Sequence, residues 1–88
     1  MRLELCGVAR IRAGAACVEI DPSPSTLGEA LRELARLHPA VVPDVVAADG
    51  RLSRHFVATR NGEAFSRDAS LALSPDDRVV IVGAQAGG

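Results

Sequence analysis

A single long helical pattern interrupts a chain that otherwise reads as strands and turns, and it fixes the class of fold available. Thr26-Leu27-Gly28-Glu29 has the form of a capping box: the threonine hydroxyl can accept from the Glu29 backbone N–H, and the carboxylate can reach back to the Thr26 N–H. Leu27, Ala30, Leu31, Leu34 and Leu37 follow at spacings of three and four, while Glu29, Arg32, Glu33 and Arg36 fall largely on the opposite side. Pro39 biases His38 away from helical angles, so the spacing predicts a helix ending at about His38. One apolar stripe on one helix calls for one sheet to cover it.

The remaining segments supply that sheet. Arg2 to Val8 alternates polar and apolar residues, placing Leu3 and Leu5 on one face, and Ala15 to Ile20 repeats the pattern with Val18 and Ile20 inward. With residues 9–14 as their connection, the two predict a hairpin, which Asp21-Pro22-Ser23-Pro24-Ser25 brings to a stop. Residues 40–48 are apolar but broken by Pro43, and read as a short helical turn or packed loop closed by Asp49-Gly50. His55 to Arg60 is a strand candidate, Asn61-Gly62 a strong turn signal, and Glu63-Ala64-Phe65 a short return strand. Leu71 and Leu73 are a further buried pair, and Ser74-Pro75-Asp76-Asp77 is a turn. The β-branched run Arg78 to Val82 reads as a central strand beside and parallel to the first, with the helix in the crossover.

This order predicts an α+β roll, a mixed sheet covered on one face by one long helix. Residues 1–82 form the domain. Residues 83–88 have no periodicity and almost no side chain, and predict a mobile tail with 84–88 disordered or extended.

Composition excludes several function classes. At 88 residues there is room for one domain, and with 24 of them Leu, Val, Ile or Phe the core can be modest. The ten basic residues are all arginine, scattered among eleven acids, and two Phe are the only aromatics; neither a phosphate-gripping stripe nor a base-stacking platform is present, so nucleic acid is not an expected partner. Without lysine the chain has no side-chain amine for a Schiff base, a P-loop or an isopeptide-linked chain. No stretch approaches the roughly 18 apolar residues of a membrane span, and a cytoplasmic location is expected.

Side chains suited to chemistry are few. His38 and His55 have no neighbouring carboxylate pair or nucleophile in a recognisable motif. Cys6 and Cys17 cannot build a disulfide framework or a four-ligand zinc site; they lie on the outer face of the predicted hairpin, where they could be cross-strand neighbours, reduced in the plainest reading and a regulatory disulfide in the other. Asp76, Asp77 and Glu63 read as turn residues rather than metal ligands. No catalytic residue and no metal ligand is expected. The end of the chain is more informative: a buried strand hands over directly to Gln85-Ala86-Gly87-Gly88, and the paired glycines lack the Cβ that would keep an extended tail out of a narrow channel.

Taken together, Thr26-Leu27-Gly28-Glu29, Leu37-His38-Pro39, Asn61-Gly62-Glu63, Leu73-Ser74-Pro75-Asp76-Asp77-Arg78-Val79 and Gly87-Gly88 resemble, in their order and spacing, the ubiquitin-like sulfur carriers. These include the small subunit of molybdopterin synthase and the sulfur carrier of thiamine synthesis. The resemblance covers essentially the whole chain and implies the β-grasp fold. Pro75-Asp76-Asp77 stands where the molybdopterin-type proteins usually have Gly-Asp-Glu, Gly83-Ala84 where they have Pro-Pro, and Val82 where they have Phe or Leu.

The resemblance implies a carrier rather than an enzyme. Gly88 would be adenylated by a ubiquitin-activating-like enzyme using Mg and ATP, and a persulfide from a sulfur-transfer enzyme would convert it to a thiocarboxylate. Gln85, Ala86 and Gly87 would thread into partner active sites, and an acceptor such as the large subunit of molybdopterin synthase would receive the sulfur. The carrier itself would hold no cofactor. Thiamine, cysteine or secondary-metabolite synthesis, a lysine-conjugating protein modifier and an interaction domain with an inert tail remain alternatives. A [2Fe-2S] ferredoxin shares the fold but needs four cysteines, against two here.

Overall fold

The computed structural model describes residues 1–84. Strands β1 (Arg2–Leu5), β2 (Cys17–Glu19), β3 (Phe56–Arg60) and β4 (Arg78–Gly83) form one sheet in the order β2-β1-β4-β3. Helix α1 (Val8–Ala13) links β1 to β2, helix α2 (Leu27–Leu37) follows β2, and a 3-10 turn at Pro39–Val41 follows α2. β1 pairs antiparallel with β2 and parallel with β4, whose other neighbour, β3, is antiparallel. The most apolar strand is therefore central and parallel to the first, as its β-branched run predicts.

Alternation along the strands builds the core. Leu3, Leu5, Val18, Ile20, Phe56, Ala58, Val79 and Ile81 turn inward and meet Leu27, Ala30, Leu31 and Leu34 of α2. Val41, Val45, Val46 and Leu52 extend the core through the segment after α2. The cap of α2 forms at Thr26, whose Oγ1 accepts from the Glu29 N–H at 3.2 Å. The Glu29 carboxylate reaches back one residue further than the motif suggests, to the Ser25 N–H at 2.9 Å, and also accepts from Thr26 Oγ1 at 3.4 Å.

Several expectations are corrected. The connection between β1 and β2 is a helix: Gly7 (φ 60) and Gly14 (φ 73) bracket six residues, and Ala9 is buried. Under two turns, that segment is too short to show a helical period. Asn61 (φ 54) and Gly62 (φ 74) make the predicted turn after β3, but Glu63-Ala64-Phe65 is no strand. The Glu63 carbonyl accepts from Thr59 Oγ1 and its carboxylate from Arg60, and only Ser66 makes a bridge, to Ala58. Leu37, at the end of the α2 stripe, is exposed, whereas Leu73 is buried and Leu71 packs on the core. β4 runs one residue past Val82, because Gly83 pairs with Phe56. Residues 85–88, most of the predicted tail, lie outside the described residues.

Candidate functional site

The tail leaves the domain at a defined point. Gly83 is held in β4 against Phe56, and the Ala84 N–H donates to the His55 carbonyl at 2.7 Å, so the chain is fixed to the start of β3 up to the residue before Gln85. Gln85, Ala86, Gly87 and Gly88, the four residues expected from the resemblance to carry function, lie outside the described residues. Their root is what the structure supplies.

A groove of about 490 Å³ opens beside that root, lined by Gly7 and Val8 at the start of α1, by Phe56, Val82 and Gly83, and by Asp44 and His55. Two of its residues are glycines. A Cβ built on either Gly7 or Gly83 would meet no atom within 4 Å, so the groove is open partly because these positions carry no side chain. The φ of 60° at Gly7 makes that position one that favours glycine, whereas Gly83 has ordinary strand geometry. An Arg12–Asp44 ion pair at 2.8 Å ties α1 to the segment after the 3-10 turn.

On the outer face of the sheet, Val57, Val80 and Val82 are half-buried, while the Arg78 guanidinium hydrogen-bonds Glu4 across β1 and β4. That bond holds the Glu4 carboxyl below its ordinary range and the guanidinium above its own. Cys6 and Cys17 are on this face, both exposed and free. They are not direct cross-strand partners: Cys17 pairs with Glu4, which leaves Cys6 on the diagonal, where residues stand roughly 7–8 Å apart, at or beyond the limit for a disulfide without backbone movement.

Most of the other candidates have structural occupations. His38 sits at the C-cap of α2, where its backbone N–H donates to the Leu34 carbonyl at 2.8 Å and its imidazole has no part in the bond. Asp77 accepts from Asn61 Nδ2 at 2.8 Å and from the Ser74 N–H at 2.7 Å, two bonds that lower its pKa and close the turn before β4. Glu63 is paired with Arg60. The N-terminus of α2 offers no anion site, since the Leu27, Gly28 and Glu29 N–H groups already donate to the Leu71 carbonyl, the Ala69 carbonyl and Thr26 Oγ1. Among the described residues no three His, Cys, Asp or Glu side chains converge on a point that could hold a metal ion. No helix among them is long and apolar enough to cross a membrane. The groove and the exposed start of α1 are what sequence reasoning missed; the glycines at 7 and 14 with Ala9 and Ala13 four apart were the only signal for that helix.

Comparison with known proteins gives three kinds of result. The model of the ThiS family matches residues 3–88. No curated protein matches. Among solved structures, SAMP1 from Haloferax volcanii is 30% identical, with 99% of this chain and 97% of that one covered and a TM-score of 0.81. A second structure of the small archaeal modifier protein 1 of H. volcanii is 31% identical over 91% of each chain, with a TM-score of 0.76. A chain of the Amycolatopsis orientalis BexX/CysO complex has the same fold, with a TM-score of 0.78 at 21% identity over 99% and 98% of the two chains.

Proposed function

The chain belongs to the ThiS family, and on that footing we propose that it is a sulfur carrier whose C-terminal Gly88 is adenylated and converted to a thiocarboxylate. A carboxylate is a poor electrophile, because its charge is delocalised and the group it would expel is oxide. Attack of the Gly88 carboxylate on the α-phosphate of ATP, in a ubiquitin-activating-like partner that holds the Mg, releases pyrophosphate and gives an acyl-adenylate. The terminal sulfur of an enzyme persulfide then displaces AMP, and a second thiol cleaves the resulting S–S bond by forming a disulfide with the persulfide-bearing cysteine, which leaves the thiocarboxylate. An acceptor enzyme takes the sulfur.

In this scheme the chain supplies reach and docking surface, acting in the cytoplasm, and its partners supply catalysis. The observation that carries the reading is that the family match extends through Gly87 and Gly88, beyond a domain whose last strand delivers the chain to Ala84. The acceptor we favour is of the molybdopterin synthase large-subunit type; thiamine, cysteine and secondary-metabolite synthesis are the other destinations.

The printed name of the H. volcanii relatives, small archaeal modifier protein, favours one further reading, in which the same activated Gly88 is joined to lysines of other proteins. Lacking lysine itself, this chain could not extend such a conjugate through its own side-chain amines.

The test uses the purified chain with its adenylating enzyme and Mg-ATP. It should support pyrophosphate exchange and, given a sulfur donor, exchange one C-terminal oxygen for sulfur by mass. Removing Gly88 or adding a residue after it should abolish both, and Gly87→Val should impair activation far more than Gln85→Ala. Adenylation of the truncated chain would overturn the carrier reading, and ladders of higher-mass species in a lysate would favour the modifier.

A further inference from the structure

We propose that the groove at the tail root is a docking recess for an apolar side chain of the adenylating enzyme, presented at the mouth of the cleft that takes the tail. The inference rests on the carrier reading and adds to it where the partner must sit. Four residues, Gln85 to Gly88, separate Ala84 from the group to be activated, and fully extended they span at most roughly 14 Å. An enzyme that brings its nucleotide to Gly88 therefore closes over the surface immediately around Ala84. The groove adjoins that residue, since Gly83 lines it and His55, which also lines it, holds the Ala84 N–H.

The chemistry of the recess selects its occupant. Small polar ligands are held by several convergent polar groups; here Asp44 is already committed to Arg12, and Val8, Phe56, Val82 and two glycines make up most of the rest. Apolar surface continues outward from it along α1, where Val8 is 52% and Ile11 77% exposed at positions three apart, on one face of the helix. Neither side chain packs into the core, so the fold gives no reason for either. A branched or aromatic side chain from the rim of the partner's cleft would cover both and fill the space left by the glycines.

Kinetics of pyrophosphate exchange against carrier concentration, using the full chain and its adenylating enzyme, test this. Val8→Asp and Ile11→Asp place a charge on the docking surface without touching the tail; an acid is tolerated at Val8 in the first turn of α1, and at Ile11 in the last turn it stands between Arg10 and Arg12, whose positive charges offset the unfavourable end of the helix. Gly83→Leu fills the groove from the strand, where the structure leaves a side chain room. Each should raise KM about ten-fold or more, as expected when burial of a branched side chain is forfeited, with kcat nearly unchanged and the melting temperature close to that of the parent. Phe65→Asp, 65% exposed and outside the groove, should leave both constants unchanged. Wild-type KM for Val8→Asp and Ile11→Asp would overturn the recess while leaving the carrier reading intact, as would an equal rise for Phe65→Asp or a loss of kcat confined to Gly83→Leu. Failure of the unaltered chain to support exchange would overturn both.

Discussion

Replacing Gly28 by alanine sets helix propensity against the packing beneath the helix. In the first turn of α2, alanine should gain up to about 1 kcal/mol over glycine. The space is occupied, however: a Cβ there would stand 3.1 Å from the Ala69 carbonyl oxygen and 3.2 Å from the Ala69 Cβ. That oxygen accepts the Gly28 N–H at 2.9 Å, so relieving the contact strains the bond. Nor is the neighbour a flexible tip. Residues 68–71 are a turn closed by the Leu71 N–H on the Asp68 carbonyl, braced by two bonds from Ser70 to the Asp68 carboxylate, and tied to α2 again through the Leu27 N–H on the Leu71 carbonyl. Weakening one hydrogen bond costs about 0.5–1.5 kcal/mol and crowding a packed contact about 1–3, so against the propensity gain the net expectation is a loss of about 0.5–3.5 kcal/mol. Urea unfolding should show a lower midpoint at unchanged slope, and the melting temperature should fall by about 4–8 °C per kcal/mol for a domain of this size. Ala69→Gly removes the Cβ contact but not the oxygen, so the double variant should recover part of the loss. A Gly28→Ala protein more stable than its parent would refute the reasoning, because it would mean that the 68–71 turn yields freely.

Leu34→Ala, at a site with no exposure, should cost about 2–5 kcal/mol in chemical denaturation, whereas Arg32→Ala on the wet face of α2 should stay within about 0.5 kcal/mol. Thr26→Ala removes the hydroxyl that caps the Glu29 N–H and should cost about 1 kcal/mol by the same measurement. Hydrogen bonds from Arg78, from Ser70 and from Asn61 with Ser74 lower the pKa values of Glu4, Asp68 and Asp77. A carboxyl lowered in the folded state contributes stability above its unfolded pKa of about 4 and loses it as pH falls through the folded value. Melting temperature should therefore fall on acidification below about pH 4, and Asp77→Asn should flatten that dependence.

How far the fold was legible follows from how much local pattern each element carries. The eleven-residue α2 shows its cap, stripe and stop in sequence, and its bounds match. β4 announces itself through its β-branched run, which suits a strand paired on both sides, although only the face with Val79 and Ile81 is buried and Val80 and Val82 are half-buried on the other. α1 has six residues and α-helical angles at positions where a turn also fits, so no period separates the two readings. Glu63–Phe65 fails for the opposite reason: a strong turn signal at Asn61-Gly62 implies a return strand, but the polar groups of Thr59 and Arg60 capture Glu63, and Phe65 finds no core to enter. Cross-strand register is also invisible locally. The parity that puts Cys6 and Cys17 on one face is readable, whereas the offset that pairs Cys17 with Glu4 depends on the helix inserted between them.

The functional end of the molecule divides along the same line. A group activated by another protein needs no convergent acids, bases or ligands around it, so the carboxylates of a carrier are free to serve turns and ion pairs, as Asp77 and Glu63 do here. What such a protein must encode is a terminus that can enter a channel and a surface that brings the channel to it. The first is written in consecutive letters, Gly87-Gly88. The second, as proposed above, is assembled from Gly7 and Val8 before and within α1, Phe56 at the start of β3 and Val82-Gly83 at the end of β4, positions far apart in sequence that meet only through the parallel pairing of β1 with β4 and the antiparallel pairing of β3. On the proposed carrier reading, substitutions at the terminus should therefore act on whether Gly88 reacts, and substitutions around the groove on how well the partner finds it.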